Sequence, residues 1–208
     1  MKKKVFIFDL DNTIISCDSF KLFLLKWFLK NPKVFIFNFL YLVLVYFLFI
    51  LNLIKRDKLK EIFLKIALKY SNKKQIINFS NNFAKFIVSN YLRIGSKKIL
   101  KKKNCIKILI SASPNFYVNI IGKILNFDQI YSTKIDLDKN IGKIIGKNCY
   151  GFQKLLIIKK LNLKNKNLYF FTDSKSDLPL IKYCEKSFVL PKTIIDKLIL
   201  RKYERINW

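Results

Sequence analysis

Two aspartates, Asp9 and Asp11, stand two residues apart directly after a short apolar run, Val5-Phe6-Ile7-Phe8. A run of that length bounded by acids reads as a buried β-strand. Open parallel sheets bind ligands beyond the C-terminal ends of their strands, so the pair sits where chemistry is placed. Two carboxylates in different surroundings can divide the labour, one as nucleophile and one as acid or base. Taken alone, Asp9-Leu10-Asp11-Asn12-Thr13 fits a solvated turn equally well. The rest of the chain changes that balance. Ser111-Ala112-Ser113-Pro114 closes a second apolar run, Ile106–Ile110, and offers a hydroxyl and helix N-terminal amides to an anion. Lys154 follows Gly151 at the start of a helical pattern, and Asp173-Ser174-Lys175-Ser176-Asp177 follows a further run, Leu168–Phe171. Strand ends thus supply three or four carboxylates, a hydroxyl and an ammonium. Carboxylate oxygens with room for water suit Mg²⁺, and a phosphate fits among such an ion, Lys154 and Ser111.

These groups need a scaffold that brings distant segments together. Besides the three runs above, Ser187–Leu190 and, more weakly, Gln129–Thr133 read as strands, with helical patterns at Asn115–Leu125 and Phe152–Leu161 between them. Strands alternating with helices predict an α/β fold with a parallel sheet covered on both faces. Gly142, Gly146 and Gly151 punctuate a stretch that reads as a small hairpin before the Phe152 helix. About ninety residues between the first two strong strands, Ile14 to Asn104, read as helical throughout. Within them, Val34–Ile54 is 21 residues without a charge, about 31 Å as a helix and enough to cross a bilayer's hydrocarbon core. Phe20–Lys33 before it is amphipathic, with Lys26, Lys30 and Lys33 on one face and Pro32 marking the break. Leu59–Tyr70 and Ile76–Leu92 read as ordinary amphipathic helices.

Composition limits the chemistry further. The 208 residues contain no histidine, which excludes Ser-His-Asp and Cys-His catalysis, zinc fingers and histidine-phosphate relays. A formal charge of +28 fits a residue bias toward lysine, an anionic membrane surface or nucleic acid. Dispersed lysines and aromatics confined to apolar runs speak against nucleic acid. Cys17, Cys105, Cys149 and Cys184 form no CxxC and read as free thiols of a reducing compartment, Cys149 as a packing residue. The start, MKKKVFIFDLDNT, has too short an apolar run for a signal peptide.

FDLDNT, ISASP, the Gly151–Lys154 stretch and TDSKSD resemble, in order and across the whole chain, the four motifs of the haloacid dehalogenase (HAD) superfamily of phosphatases. The resemblance implies a Rossmann-like three-layer α/β core, residues 1–15 and 100–208, with an inserted all-helical C1 cap, residues 16–99. It implies Asp9 as the nucleophile that forms an aspartyl-phosphate and Asp11 as general acid/base. Ser111, Ala112 and Lys154 would hold the phosphoryl group. Asp9, the Asp11 carbonyl and Asp173 would bind Mg²⁺, with Asp177 supporting that shell. SASPNFY, Asn148-Cys149-Tyr150-Gly151, TDSKSDLPL and the tail from Leu190-Pro191 to Trp208 resemble the phosphatidylglycerophosphatase C subgroup, whose caps are strongly apolar. Phe152-Gln153 departs from it, standing where an acid often precedes the lysine.

A single crossing by Val34–Ile54 would part Asp9 from Ser111, Lys154 and Asp173. The expectation is therefore a shallow hairpin or interfacial helices over about residues 20–55, since a crossing by Phe20–Lys33 would sink Lys26 near mid-membrane at about 2.5–3.5 kcal/mol. Burial of the helix inside a cap or dimer interface is the soluble counterpart. The expected activity is Mg²⁺-dependent hydrolysis of a lipid phosphomonoester, phosphatidylglycerophosphate by resemblance, at the cytoplasmic face of the inner membrane. The alternatives are a phosphatase of a small soluble phosphomonoester and a non-catalytic membrane-binding protein.

Overall fold

In the computed structural model, residues 3–163, 166–190 and 203–206 are described. β1 (Lys4–Phe8) runs inside a sheet ordered β3-β2-β1-β4-β5-β6, with every neighbouring pair parallel. Its partners are β2 (Cys105–Pro114), β3 (Gln129–Thr133), β4 (Asn167–Thr172), β5 (Lys186–Val189) and a two-residue edge strand, β6 (Glu204–Arg205). The side chains alternate between two cores, as the pleat requires. Val5, Ile7, Ile108, Ile110 and Phe170 pack with α7 (Phe152–Lys160) and α8 (Leu178–Tyr183). Phe6, Phe8, Leu109 and Phe171 pack on the opposite face, with α6 (Asn115–Ile124). The result is the three-layer α/β arrangement expected from the alternating runs. Of the tail cited for the subgroup resemblance, residues 191–202 and 207–208 lie outside the described residues.

Register brings the motif residues level. Phe8 pairs with both Leu109 and Phe171, so Asp9, Ile110 and Thr172 emerge together, with Ser111 and Asp173 one step beyond. The Asp9 amide donates to the Phe171 carbonyl at 2.9 Å and extends the ladder by one bond. A wide turn over Leu10–Ile14 follows, in which Asn12 takes a left-handed conformation at φ 55°, a region asparagine tolerates better than most residues.

The chain then leaves for the helical insertion and returns at the same neck. Ile15 and Leu92 form an antiparallel bridge there, and the Arg93 amide and Ser96 hydroxyl both donate to the Ile14 carbonyl. Between these points lie α1 (Ser19–Lys30), α2 (Pro32–Ile50), α3 (Arg56–Leu68) and α4 (Lys73–Tyr91), followed by α5 (Ile94–Leu100). Local chemistry sets their ends. Asp18 caps α1, Pro32 opens α2, and Asn72 with Gln75 forms a reciprocal capping box on α4.

The uncharged segment folds differently from its expected bounds. α2 starts at Pro32 and stops at Ile50, 19 residues or about 28 Å, instead of running over Val34–Ile54. Asn52 at φ 59° ends it: the Asn52 amide donates to the Phe49 carbonyl and the Leu53 amide to that of Leu48. Those two bonds satisfy the last carbonyls in a Schellman-type cap. One stripe of α2 packs down, with only Leu42 and Val45 buried. Phe37 and Leu40 are 85% and 81% exposed, and Ile36, Tyr41, Val43, Leu44 and Phe47 also face outward. By contrast α1 is a packed helix, burying Phe23, Leu24, Trp27 and Phe28. Its Lys26 and Lys30 ammoniums lie over the rings of Phe86 and Phe79 on α4.

Phe23 joins insertion to core. It is fully buried and contacts the rings of Trp27, Phe79, Phe83, Phe116 and Tyr117, the last two on α6. Phe23→Ala should therefore lower stability by about 3–5 kcal/mol, cavity included. Urea unfolding of the variant checks this; a loss under about 1 kcal/mol would mean the aromatic junction carries little of the packing.

Candidate active site

The expected carboxylates gather where the register places them. Asp9 follows β1, Asp173 follows β4, and Asp177 ends the short turn after it; all three are buried. Lys154, on the first turn of α7, is 3% exposed and its Nζ lies 2.8 Å from Asp9 Oδ1 and 2.8 Å from Asp177 Oδ2. The Thr172 hydroxyl donates to the same Asp177 oxygen at 2.8 Å, and Thr13 donates to Asp173 at 3.3 Å. Gly151 makes the approach of α7 possible. Its φ of 55° and ψ of −122° suit glycine, and a Cβ there would stand 3.2 Å from the Ser176 carbonyl oxygen.

The electrostatics follow from burial. Desolvation works against the Lys154 ammonium, but the Asp177 and Asp9 carboxylates outweigh it and hold its proton more tightly than in water. Burial pushes Asp9 well above the ordinary aspartate value, with Lys154 pulling the other way. Burial also raises Asp11. Both Asp11 oxygens are held at 2.6 Å, one by the Ser19 amide at the start of α1 and one by the Ser113 hydroxyl. Ser19 in turn donates toward Ser113 and Tyr117.

A cavity of about 370 Å³ opens above this floor. Asp9, Asp11, Lys154, Asp173 and Asp177 line it from the core, with Ala112 and Ser113. The insertion supplies Leu24, Tyr46, Phe49, Leu59 and Phe63 as an apolar wall, and Lys21, Arg56 and Lys60 as cations. Ser111 is the expected site residue that the structure sets back. It is fully buried and accepts from the Ser113 amide at 3.0 Å, behind the cavity wall. Cys149 is buried too, its thiol pushed up to about 12 by desolvation, in keeping with a packing role.

Sequence reasoning missed Ser19, Ser113, Lys60 and Asn148. Ser113 lies inside the quoted SASP run and was open to notice. Nothing in the local pattern marks Lys60 among so many lysines.

Among the described residues, no three His, Cys, Asp or Glu side chains cluster as a ready-made metal cage. Lys154 Nζ sits between Asp9 and Asp177 and engages one oxygen of each. The donor chemistry nevertheless fits a hard dication. The available ligands are oxygens, and Asp177 Oδ1 is buried without a hydrogen-bond partner. Mg²⁺ takes few carboxylates and keeps several waters, so it needs no complete protein cage.

A parallel α/β sheet whose first strand delivers a buried aspartate to a lysine from a later helix defines a class of hydrolases. The chain belongs to the haloacid dehalogenase-like hydrolase family, whose model matches residues 6–182. No curated protein matches it. A solved protein of unknown function from Bordetella pertussis Tohama I is similar, with TM-score 0.84 and 14% identity over 100% of this chain and 99% of that one. A phosphoserine phosphohydrolase-like protein from Francisella tularensis has TM-score 0.62 and 19% identity, covering 98% and 94%. A phospho-aspartyl intermediate analogue of phosphoserine phosphatase has TM-score 0.67 and 14% identity, covering 99% and 93%. At such identities these likenesses describe a shared fold.

Removing the ammonium would leave two buried carboxylates facing one another. Lys154→Met should cost about 3–5 kcal/mol in denaturant unfolding, and adding Asp177→Asn should restore part of it. Additive losses in the double variant would show that the lysine does not neutralise Asp177.

Proposed function

We propose that the protein is a membrane-associated, Mg²⁺-dependent phosphatase that hydrolyses a lipid phosphomonoester through an aspartyl-phosphate, with phosphatidylglycerophosphate as the leading substrate. The observation that carries the phosphatase reading is the buried Asp9–Lys154 pair at the end of β1. Phosphoryl transfer asks a protein chiefly to position groups and to neutralise charge, which this pair does.

In the first step an Asp9 oxygen attacks phosphorus, and the ester oxygen leaves with a proton from Asp11. Burial raises Asp11 and favours the protonated form it needs for that task. Asp11 must turn from Ser19 and Ser113 toward the leaving oxygen, which links acid delivery to the start of the insertion. In the second step Asp11 takes a proton from water, whose oxygen attacks the same phosphorus. Phosphate departs and the Asp9 carboxylate returns. Lys154, with the Ala112 and Ser113 segment, holds the phosphoryl oxygens. Asp9, the Asp11 carbonyl and Asp173 would hold Mg²⁺, with Asp177 behind them; when bound, the ion screens the nucleophile from the phosphoryl charge.

The lipid reading rests on α2. Its outward face is a continuous apolar surface, larger than soluble proteins ordinarily expose. Lys33 at its start and Lys55 and Arg56 beyond its end suit an anionic leaflet. The same helix contributes Tyr46 and Phe49 to the cavity wall, joining a lipid-facing surface to the catalytic floor. We infer in-plane seating at the cytoplasmic leaflet, because the Leu42–Val45 stripe is committed to the insertion. A second reading is hydrolysis of a small soluble phosphomonoester, favoured by the fold shared with phosphoserine phosphatase structures.

Phosphate release from phospholipid monoesters and soluble phosphomonoesters, with and without EDTA, separates the readings. Release confined to the lipids and abolished by EDTA is expected; turnover of soluble esters alone would favour the second reading. Asp9→Asn should abolish release while leaving liposome binding intact, and wild-type turnover would remove Asp9 from the nucleophile's role. Replacing exposed Leu40, Leu44 and Phe47 together by Lys should release the protein from anionic liposomes in a flotation assay. Unchanged flotation would rule out α2 as the docking surface.

A further inference from the structure

Lys60 lies on α3 and is 7% exposed, yet it lines the catalytic cavity. Its Nζ donates to the Ala112 carbonyl at 2.6 Å and to Asn148 Oδ1 at 3.1 Å. Both acceptors are neutral. Among the described residues Lys60 makes no ion pair. Of the three cavity lysines, Lys21 is exposed, and the two buried ones are prepared differently. Lys154 meets two carboxylates, whereas Lys60 meets neutral acceptors and the Phe20 ring at 5.6 Å, with Asp11 and Asp57 near enough to act on it but not in ion-pair contact. Such a charge is costly unless something pairs with it.

Its position is well defined. Asn148 Nδ2 donates to Asp57 Oδ1 at 2.6 Å, and Thr133 donates to Asn148 Oδ1 at 2.6 Å. Those two bonds turn the amide oxygen toward Lys60. An ammonium has three protons, and the two acceptors leave one for a ligand. The carboxylates that act on Lys60 are Asp11 and Asp57, so it stands on the Asp11 side of the cavity, where the leaving oxygen departs. Arg56, one turn earlier on α3, lines the same wall with its guanidinium over the Tyr150 ring.

We propose that Lys60 is a substrate-binding residue of the insertion that holds a second negative charge, a phosphodiester or carboxylate carried by the leaving group. The inference rests on reading the site as a phosphomonoesterase and specifies which phosphomonoester it is built for. Burial supports it by lowering Lys60 to about 8, opposed by Asp11, Asp57 and Cys149 and assisted by Arg56. The ammonium is present below that pH and is lost above it, so preference for an anionic leaving group should weaken as pH rises past 8.

Two matched pairs test the assignment on wild type, Lys60→Met and Lys60→Arg. One pair is phosphatidylglycerophosphate against phosphatidic acid in identical detergent micelles; the other is phosphoglycerate against glycerol phosphate in solution. Within each pair only the first leaving group is an anion. Wild type should prefer that member in at least one pair, and which pair responds separates a lipid source from a soluble one. Lys60→Met should lower its kcat/KM by about 10- to 100-fold, mainly through KM. The neutral-leaving-group member should lose several-fold less, circular dichroism should report an intact fold, and Lys60→Arg should retain the preference. Equal losses on both members, or a wild type without preference in either pair, would overturn the inference and leave the phosphatase reading standing. A wild type that hydrolyses none of the four would overturn both.

Discussion

A single buried ammonium organises the catalytic half of this molecule. Lys154 touches Asp9 and Asp177 at equal distance, 2.8 Å, and those two acids reach it from segments 145 and 23 residues away in sequence. Without it, carboxylates buried this close would repel one another and take up protons. With it, β1, the loop after β4 and the start of α7 are held to one point. Gly151 permits that approach, since its left-handed backbone would strain a side chain and a Cβ would press on the Ser176 carbonyl at 3.2 Å. The pair also keeps the Asp9 charge compensated inside the core.

The insertion answers to a different force. Rings from α1, α4 and α6 interlock around Phe23, so apolar packing joins it to the core there, alongside an exposed Lys73–Asp138 pair. The bond from the Ser19 amide to Asp11 then ties that junction to the cavity floor. α2 divides its surface unevenly, a narrow stripe inward and a broad apolar face outward. The helix also reaches the site: Tyr46 and Phe49 border the cavity that Asp9 floors. A substrate with a charged head and an apolar body would find both kinds of surface in one continuous space.

Much of this was legible residue by residue. Val5–Phe8 and Leu168–Phe171 read as strands because runs buried on both faces show no polar alternation, and Asp9, Asp173 and Asp177 followed as strand-end acids. Pro32 marked the break between α1 and α2 correctly. The end of α2 was missed because Leu51–Ile54 carries no charge and prolongs the apolar run; Asn52, polar and tolerant of a left-handed backbone, was the one signal for the stop. Ser111 and Ser113 are equally good hydroxyls in sequence. The bulge at the end of β2 turns Ser113 to Asp11 and sets Ser111 behind the wall.

Local order along the chain thus determined the strands, the acids at their ends, the long helical insertion and the absence of any histidine chemistry. Those properties depend on a few neighbouring residues, and hydrophobic period and residue type report them directly. Of 41 cationic residues the sequence marked Lys154 by its motif, and tertiary structure alone picked out Lys60. Lys154 and Lys60 differ from the others by desolvation, and desolvation depends on what packs around a side chain from distant segments. Charge on a surface lysine is screened by water; the same charge enclosed by Asp9 and Asp177, or by the Ala112 carbonyl and Asn148, becomes an organising feature of a site.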